Sequence, residues 1–555
     1  MHKILKKTIK YTACGIGVLL LAIILFVSIL YFSADMLTPD YTPKANGELV
    51  QTDSLREYAG NYLRQSNSSL WELKVSGDAF QRGEAIGKLS SDLLYYQEKV
   101  FVDQIREIVP SDNYLKFLRF FIVLFNRNLG KNVPEEFRDE IYGISLSCTH
   151  EYDFIGTPYE RQFNYHSAHD LGHAMQDYML VGCSSFATWG ENSADSSLII
   201  GRNFDFYMGD KFAHNKLVSF YQPEQGYKFA SVGWPGMIGV LSGMNETGLT
   251  VTINAAKSDM PTASATPISI LTREILQYAS TIDEAYAIAL KRKTFVSESI
   301  LIGSAQDGRA AIIEKSPEKT ALFTSSGNQI ICTNHYQSDT FRNDERNQEN
   351  IATSDSPYRF ARLQELLKEN KPIDPMKAAS ILRNQKGLDN IDLGMGNEMA
   401  INQLIAHHSV IFLPEKQIMY VSTSPWQCGK YMAYDLNKIF SDTIDFHHEI
   451  ATLSLTIPED NFISQAHYKQ FMAYRNLTKL IREKTQRKET IETKVLNLYE
   501  ASNPSFYYVY EVLGDYYAAI QQTDTAMTYW QKALTMPIPK QAEKVRIQQK
   551  INKKQ

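Results

Sequence analysis

The stretch Val181-Gly182-Cys183-Ser184-Ser185-Phe186-Ala187-Thr188-Trp189-Gly190, answered across a short polar gap by Gly201-Arg202-Asn203-Phe204-Asp205, decides the reading of this chain. Residues 183–189 and 198–204 read as strands, with Glu191, Asn192, Ser193, Ala194, Asp195 and Ser196 as turn material between them. A turn centred near Asn192 and Ser193 sets Cys183 opposite Arg202, and a slip of one residue would turn the pair to different faces. A free cysteine titrates near about 8.5, and a neighbouring cation favours the thiolate that attacks carbonyl carbon. Arg202 is the candidate cation. An internal cysteine still lacks a base, whereas a chain-terminal one carries an α-amine of pKa roughly 7.7 to 8.0 that can shuttle a proton. Asp205 is the candidate holder of that ammonium. Gly182 tolerates the strained backbone that attack of a thiol on its own preceding carbonyl demands. The expectation is therefore self-cleavage between Gly182 and Cys183, and the plain alternative is a cysteine buried as a small hydrophobe.

Later motifs add weight to the first reading. Gly243-Met244-Asn245-Glu246-Thr247-Gly248-Leu249 feeds the strand Thr250-Val251-Thr252-Ile253-Asn254, which ends in an amide, and Cys332-Thr333-Asn334-His335 is a second strand end with an asparagine. Two asparagines donating N–H groups suit an oxyanion pocket for a tetrahedral acyl intermediate. Ser356-Pro357-Tyr358-Arg359-Phe360-Ala361-Arg362-Leu363 opens a helix, with proline where a first turn tolerates it and Arg359 on a buried face. Each residue also has a structural reading: Arg202 and Asp205 as a solvated pair, Asn254 and Asn334 as turn residues, Arg359 as a helix-face ion pair.

Taken in order, Gly-Cys, Gly-Arg-Asn-x-Asp, Met-Asn-Glu-x-Gly-Leu, Thr-Asn and Ser-x-x-Arg-Phe resemble the choloylglycine hydrolase and penicillin acyltransferase group of N-terminal-nucleophile hydrolases. The acyltransferase-like branch, whose members carry a propeptide before the cysteine, is the closer match. The segment Gly77-Asp78-Ala79-Phe80-Gln81-Arg82-Gly83-Glu84-Ala85-Ile86-Gly87 is similar to that branch's opening motif. The resemblance spans about Trp71 to Asp435 and implies an αββα sandwich, where the pattern alone says only α+β. It also implies roles for individual residues. Cys183 is the nucleophile with its α-amine as base, Arg202 sits beside the thiol, Asp205 binds the amine, Asn254 and Asn334 form the oxyanion pocket, and Arg359 organises the site. No cofactor is implied. Two departures, the longer spacing from Cys183 to Arg202 and the histidine after Asn334, count against bile-salt specificity.

A rival constellation lies just upstream. His166, His169 and His173, with Asp170 and Asp177, fall at helical spacings that put several potential metal ligands on one face. No Cys-x-x-Cys or His-Glu-x-x-His accompanies them, so a bound metal is not expected, and the segment reads instead as one that positions or shields the scissile bond.

Residues 11–34 carry no charged side chain and are long enough to cross a bilayer. Lys3, Lys6, Lys7 and Lys10 precede them and Asp35 and Asp40 follow, which places the N-terminus in the cytoplasm and the body outside, periplasmic or at the cell surface. The alternative is a cleaved signal peptide, but the apolar run exceeds the usual length and no Ala-x-Ala site closes it. Cys14 precedes the apolar core and so does not look like a lipid-attachment site. Of the five cysteines, Cys148, Cys332 and Cys428 leave room for one bridge that spacing alone does not assign. A net charge of −5 with mixed signs gives no nucleic-acid footprint.

The 555 residues suffice for more than one core. The expected organisation is a cytoplasmic tip and membrane anchor over 1–34, a polar spacer over 35–70, a helical propeptide or α-chain region over 71–182, a catalytic domain over 183–440 and a helical region over 441–555. In the last, Tyr510, Leu513, Gly514, Tyr517, Ala526, Trp530 and Ala533, with Pro537 beyond, match the tetratricopeptide spacing. One repeat cannot bury its apolar face alone, so it docks on the body or presents a groove to a protein partner. The function expected is amide cleavage in an N-acylated small molecule through a thioester on Cys183. Acyl transfer shares that intermediate, and a membrane-tethered scaffold with a dead site is the alternative from a different class. Phe204, Phe206, Tyr207, Trp234 and Met237 are candidates to line an apolar acyl pocket.

Overall fold

Two sheets carry the body of the chain in the computed structural model, which describes residues 2–41, 47–52, 54–108, 111–174, 180–257 and 264–553. The larger has eleven strands, ordered in space Val50–Gln51, Leu55–Tyr58, Asn61–Gln65, Trp71–Gly77, Leu217–Pro223, Phe229–Gly233, Ser242–Asn245, Leu249–Ala255, Glu298–Ser304, Arg309–Lys315 and Thr320–Thr324. All its pairings are antiparallel except that of Trp71–Gly77 with Leu217–Pro223. The smaller has six, ordered Gln329–Cys332, Ser184–Gly190, Ser196–Phe204, His408–Leu413, Ile418–Ser422 and Tyr431–Asp435.

Period-two alternation along the strands stacks these sheets face to face. In Ser196–Phe204, Leu198 and Ile200 join Val218, Phe220, Ala230 and Ile312 of the larger sheet in one shared core. Ile199, between them, turns outward to meet Leu363, Leu366 and Leu382 on the helices Ser356–Asn370 and Pro375–Leu382. The larger sheet divides its side chains the same way. Leu301 and Ile312 face the shared core, while Ile300, Ile302 and Ile313 pack under the helices Ile268–Tyr278 and Ile282–Lys291. A fully buried Leu, Ile or Phe contributes about 1.5–3 kcal/mol, so a one-residue register slip in any of these strands would forfeit a whole face. The result is an αββα sandwich, the architecture that the motif resemblance implies.

The chain before Cys183 departs from expectation. Residues 50–77, assigned from sequence to a spacer and the start of a helical region, supply four strands of the larger sheet. Leu63, Leu73 and Val75 are fully buried in it. These strands are short and mostly polar on one face, so they lack the apolar signal of the later ones. The glycine-rich segment behind them forms the helix Ala79–Leu89, capped by Asp78, whose Oδ1 accepts from the Gln81 amide at 2.8 Å. Its glycines serve close packing. A Cβ at Gly83 would lie 2.0 Å from the Glu140 carbonyl oxygen, and one at Gly143 would lie 2.6 Å from the Glu84 nitrogen. This helix therefore meets Glu135–Ser145 backbone to backbone, and the contact is closed by Arg82 and Arg273 on the buried Glu140 carboxylate.

At the N-terminus, His2–Phe32 is one continuous helix whose segment Cys14–Phe32 has a mean hydropathy of 2.8 and none of its surface buried. Length and composition suit it to a membrane span or a signal sequence. Tyr31 stacks on Phe120 of the helix Asp112–Phe125 with ring centroids 5.2 Å apart. At the other end, Ala466–Arg487, Thr493–Ser502, Tyr507–Ala519, Thr523–Leu534 and Gln541–Asn552 form a helical region. Its Gly514 admits Trp530, whose ring atoms would lie 2.4 Å from a Cβ there. This region docks on the body. Asn503 both donates to and accepts from the Met395 backbone, and Leu404 and Cys428 enter its core. None of the five cysteines is paired, so the bridge left open by their number is not formed.

Gly83→Ala is expected to cost about 1–3 kcal/mol of stability, because backbone rather than a movable side chain opposes the new methyl. A urea-unfolding midpoint equal to that of the parent would show that the two helices do not approach so closely.

Candidate active site

Pairing between Ser184–Gly190 and Ser196–Phe204 sets Ser184 against Asn203 and Ser185 against Arg202. Cys183 precedes the first strand and, continued in this register, falls opposite Phe204 rather than Arg202. The expected register is thus corrected by two residues. The difference is taken up at the hairpin end, where the pairing shifts between Thr188 and Gly190 and the closing pair Gly190 and Ser196 both have positive φ. A slip of two, unlike a slip of one, preserves the face. Arg202 Nη2 accordingly lies 3.7 Å from Cys183 Sγ.

Arg202 is wholly buried and immobilised by what it touches. Nη1 donates to the Leu241 carbonyl at 3.1 Å and to Ser242 Oγ, and lies 3.3 Å from His408 Nε2. Nη2 also donates to the Ile253 carbonyl, and the guanidinium covers the Phe204 ring at 4.3 Å. Burial pushes the Cys183 thiol up to about 11 against the pull of Arg202, so the sulfur of the uncleaved chain rests as a neutral thiol. His408 is held well below its ordinary pKa by burial and stays neutral beside the arginine.

Asp205 is the electrostatic exception. Its carboxyl is fully buried, and neither oxygen has a hydrogen-bond partner among the described residues. Burial raises its pKa to about 8, with Arg359 and then Arg202 opposing the rise. Its own carbonyl accepts from the Gly182 amide at 3.1 Å, which ties this residue to the chain just before Cys183.

Arg359, at the start of the helix Ser356–Asn370, spans the site. Its Nε donates to Asp355 at 2.7 Å, Nη1 to the Cys183 carbonyl at 2.6 Å and to Ser184 Oγ at 3.0 Å, and Nη2 to Asn334 Oδ1 at 2.7 Å. Asn334 Nδ2 donates to the Ala255 carbonyl at 2.8 Å. Asn254 Nδ2 donates to the Cys332 carbonyl at 2.9 Å while its Oδ1 accepts from Ser185 Oγ. The other five residues singled out in the sequence thus gather around Cys183, with each asparagine amide spending one N–H on a backbone carbonyl.

Several neighbours were not singled out. Ser242 and His408 flank Arg202, Asp355 anchors Arg359, and Gln403 Nε2 donates to the Gly182 carbonyl at 2.9 Å. Only Asp355 carried a local signal, as an acid four residues before Arg359 at the head of a helix. Gly182 has no positive φ in the intact chain. A Cβ there would lie 2.7 Å from Gln403 Nε2, so any side chain at this position would have to displace that amide.

His166 is structural. Its Nδ1 donates to the Gln162 carbonyl at 2.7 Å, Nε2 accepts from the Ile238 amide at 3.1 Å, and burial lowers its pKa to about 4. The side chains of His169, Asp170 and His173, and all of Asp177, lie outside the described residues. Phe204, Phe206 and Trp234 form a continuous aromatic stack beside the site, with centroids 5.6 and 6.0 Å apart. Met237 is buried in the same core, and Tyr207 accepts from Arg475 of the C-terminal helices at 2.8 Å.

A cysteine thus leads into a strand of a two-sheet sandwich with an arginine at its sulfur. Residues 190–403 match the model of the family described as Acyl-coenzyme A:6-aminopenicillanic acid acyl-transferase, and with that match the family resemblance read from the motifs is shown. The matched span includes Arg202, Asp205, Asn254, Asn334 and Arg359. An uncharacterised protein of Archaeoglobus fulgidus is 24% identical over 47% of this chain and 46% of its own length. Protein dcd1B of Dictyostelium discoideum is 23% identical over 50% of this chain and 55% of its own. The chain thus spans about half the length of these curated relatives. The solved structure of a Caenorhabditis elegans N-acylethanolamine-hydrolyzing acid amidase ortholog aligns with a TM-score of 0.32 at 14% identity, covering 42% of this chain and 93% of that one.

The Asp205 environment carries a pH dependence. Its folded pKa of about 8 exceeds the ordinary 3.8, so between those values the folded state binds the extra proton, and stability falls as pH rises through that window. In a Cys183→Ala background, Asp205→Asn is expected to remove a slope of up to about 1.4 kcal/mol per pH unit between pH 4 and 8. Denaturant unfolding at several pH values reads it. Parallel pH profiles for the two proteins would show that the carboxyl is not buried unpaired.

Proposed function

We propose that this protein is a membrane-anchored thiol enzyme that activates itself by cleaving Gly182–Cys183 and then opens linear amide bonds of N-acylated small molecules through a Cys183 thioester. The observation that carries this reading is the Asp205 carboxyl, buried beside Gly182 without a donor. A new α-ammonium at Cys183 would supply the N–H groups it lacks, and the amine would then serve as the base the thiol needs. Arg202 would favour the thiolate once the site admits a charge. Asn254 and Asn334 would each turn their second amide N–H to the acyl oxyanion, with Arg359 fixing Asn334 in place. The lysines before the apolar helix would put the body outside the cytoplasm. An activated acyl donor would be scarce there, so hydrolysis of the thioester by water is the expected outcome. The match to an acyl-transferase family model supports the alternative, transfer of the acyl group to an amine.

Mass spectrometry of the purified full chain is expected to show two fragments, the second beginning at Cys183, and a single chain for Cys183→Ala. Hydrolysis should then be profiled across N-acyl amino acids, bile-salt conjugates and β-lactams, with loss of essentially all turnover in Cys183→Ala. An intact, fully active parent chain would leave the thiol without a base and defeat the reading.

A further inference from the structure

We infer that Gln403 is the oxyanion donor of self-cleavage, a catalytic residue for maturation distinct from the asparagines that would serve the external substrate. The inference rests on the self-cleavage reading above. Its ground is the 2.9 Å hydrogen bond from Gln403 Nε2 to the carbonyl oxygen of Gly182, the atom on which negative charge develops when Cys183 Sγ attacks. Gln403 is 2% exposed, so the donor acts where water cannot replace it. The two asparagines are differently employed: the amide contacts they make are to the Cys332 and Ala255 carbonyls, not to Gly182.

The step balances without a cofactor. Sγ bonds to the Gly182 carbonyl carbon, the C=O electron pair moves onto oxygen, and the Gln403 N–H holds it. When the carbonyl re-forms, the C–N bond to Cys183 breaks and the thiol proton passes to the departing nitrogen, with the Asp205 carboxyl as relay. Water then opens the thioester, leaving a Gly182 carboxylate and Cys183 with a free thiol and a free amine.

Gln403 sits in a loop that is braced from outside the two-sheet body. Asn402 Nδ2 donates to the Arg383 carbonyl at 3.2 Å and lies 3.4 Å from Cys428 Sγ, while Leu404 is buried in the core of the C-terminal helices. Earlier in the same loop, Asn503 holds Met395 by two hydrogen bonds, and a Cβ on Gly394 would lie 2.5 Å from the Phe506 side chain. The C-terminal helical region thus positions the donor that maturation needs.

The test follows conversion of the full-length chain into fragments with time, by gel and N-terminal sequencing. Gln403→Ala and the near-isosteric Gln403→Glu are expected to slow conversion by about 10²–10³-fold, the usual cost of losing one oxyanion donor. A packing role is separated by the pair Gly182→Ala and Gly182→Ala/Gln403→Ala. The single change drives a methyl against the amide, and the double change relieves that clash without restoring a donor. Conversion that stays slow in the double variant supports the inference. Recovery to the parent rate, or Gln403→Ala converting as fast as the parent, overturns it while leaving self-cleavage standing. A parent chain that never converts fails the earlier reading instead. Thermal unfolding of each variant in the Cys183→Ala background, matching the parent, shows that the fold is retained.

Discussion

A carboxyl sealed inside the protein with no donor to either oxygen is the constraint around which this site is organised. An unpaired buried polar group costs about 1–3 kcal/mol, and more when charged, so Asp205 is a standing liability of the uncleaved chain. Arg202 and Arg359 lower its pKa without bonding to it: their Nη groups go to the Ile253, Leu241 and Cys183 carbonyls and to Asn334, Ser184 and Ser242, Arg359 Nε goes to Asp355, and Arg202 Nε has no partner among the described residues. The two arginines thus supply charge and geometry but no hydrogen bond to the carboxyl. Breaking the Gly182–Cys183 bond would create a new donor, the α-amine of Cys183. On the proposed reading, maturation satisfies the carboxyl, so the strain of the precursor and the direction of the reaction have one origin.

The rest of the fold fixes what surrounds Cys183. Cys183 stands at the mouth of the strand Ser184–Gly190, and the two-residue adjustment at the Gly190–Ser196 end of the hairpin keeps its sulfur on the face of Arg202. Arg202 is clamped from the opposite sheet through Leu241 and Ile253, so the approach of thiol and guanidinium depends on the two sheets being stacked correctly. Arg359 enters from the helical layer and reaches the Cys183 carbonyl, and Gln403 enters from a loop braced by the C-terminal helices. Four separate parts of the chain must be in place before the scissile bond is fully surrounded. Cleavage would then report completed folding.

What could be read in the sequence follows from how local each signal is. Cys183, Arg202 and Asp205 lie on one hairpin, where strand residues on either side of a polar turn fix the face even when the register is misjudged by two. Arg359 was legible through its proline-led helix start. Gln403 was not, since it is one amide in a loop, brought to Gly182 across 221 residues by contacts that leave no periodic trace. The strands Leu55–Tyr58 and Asn61–Gln65 were missed for a related reason. Leu-Arg-Glu-Tyr and Asn-Tyr-Leu-Arg-Gln are too short and too polar to signal a strand, and they are held by pairing, Asn61–Gln65 with Trp71–Gly77 and Leu55–Tyr58 in turn with Asn61–Gln65, rather than by their own propensity.

Those same strands change what cleavage at Gly182 would mean. A leader segment lying outside the body would separate from the catalytic part once cut, yet here Trp71–Gly77 is hydrogen-bonded on one side to Asn61–Gln65 and on the other, in parallel, to Leu217–Pro223. The N-terminal portion also buries Leu63, Leu73, Val75, Ala85, Phe137 and Ile141 in the core that carries Val251, Ile253 and Ile302. Six such side chains, at about 1.5–3 kcal/mol each for the larger ones, outweigh the loss of one peptide bond's connectivity. The two pieces would therefore remain a single folded unit, and on the proposed reading the apolar helix that opens the first piece would go on tethering Cys183 in the second.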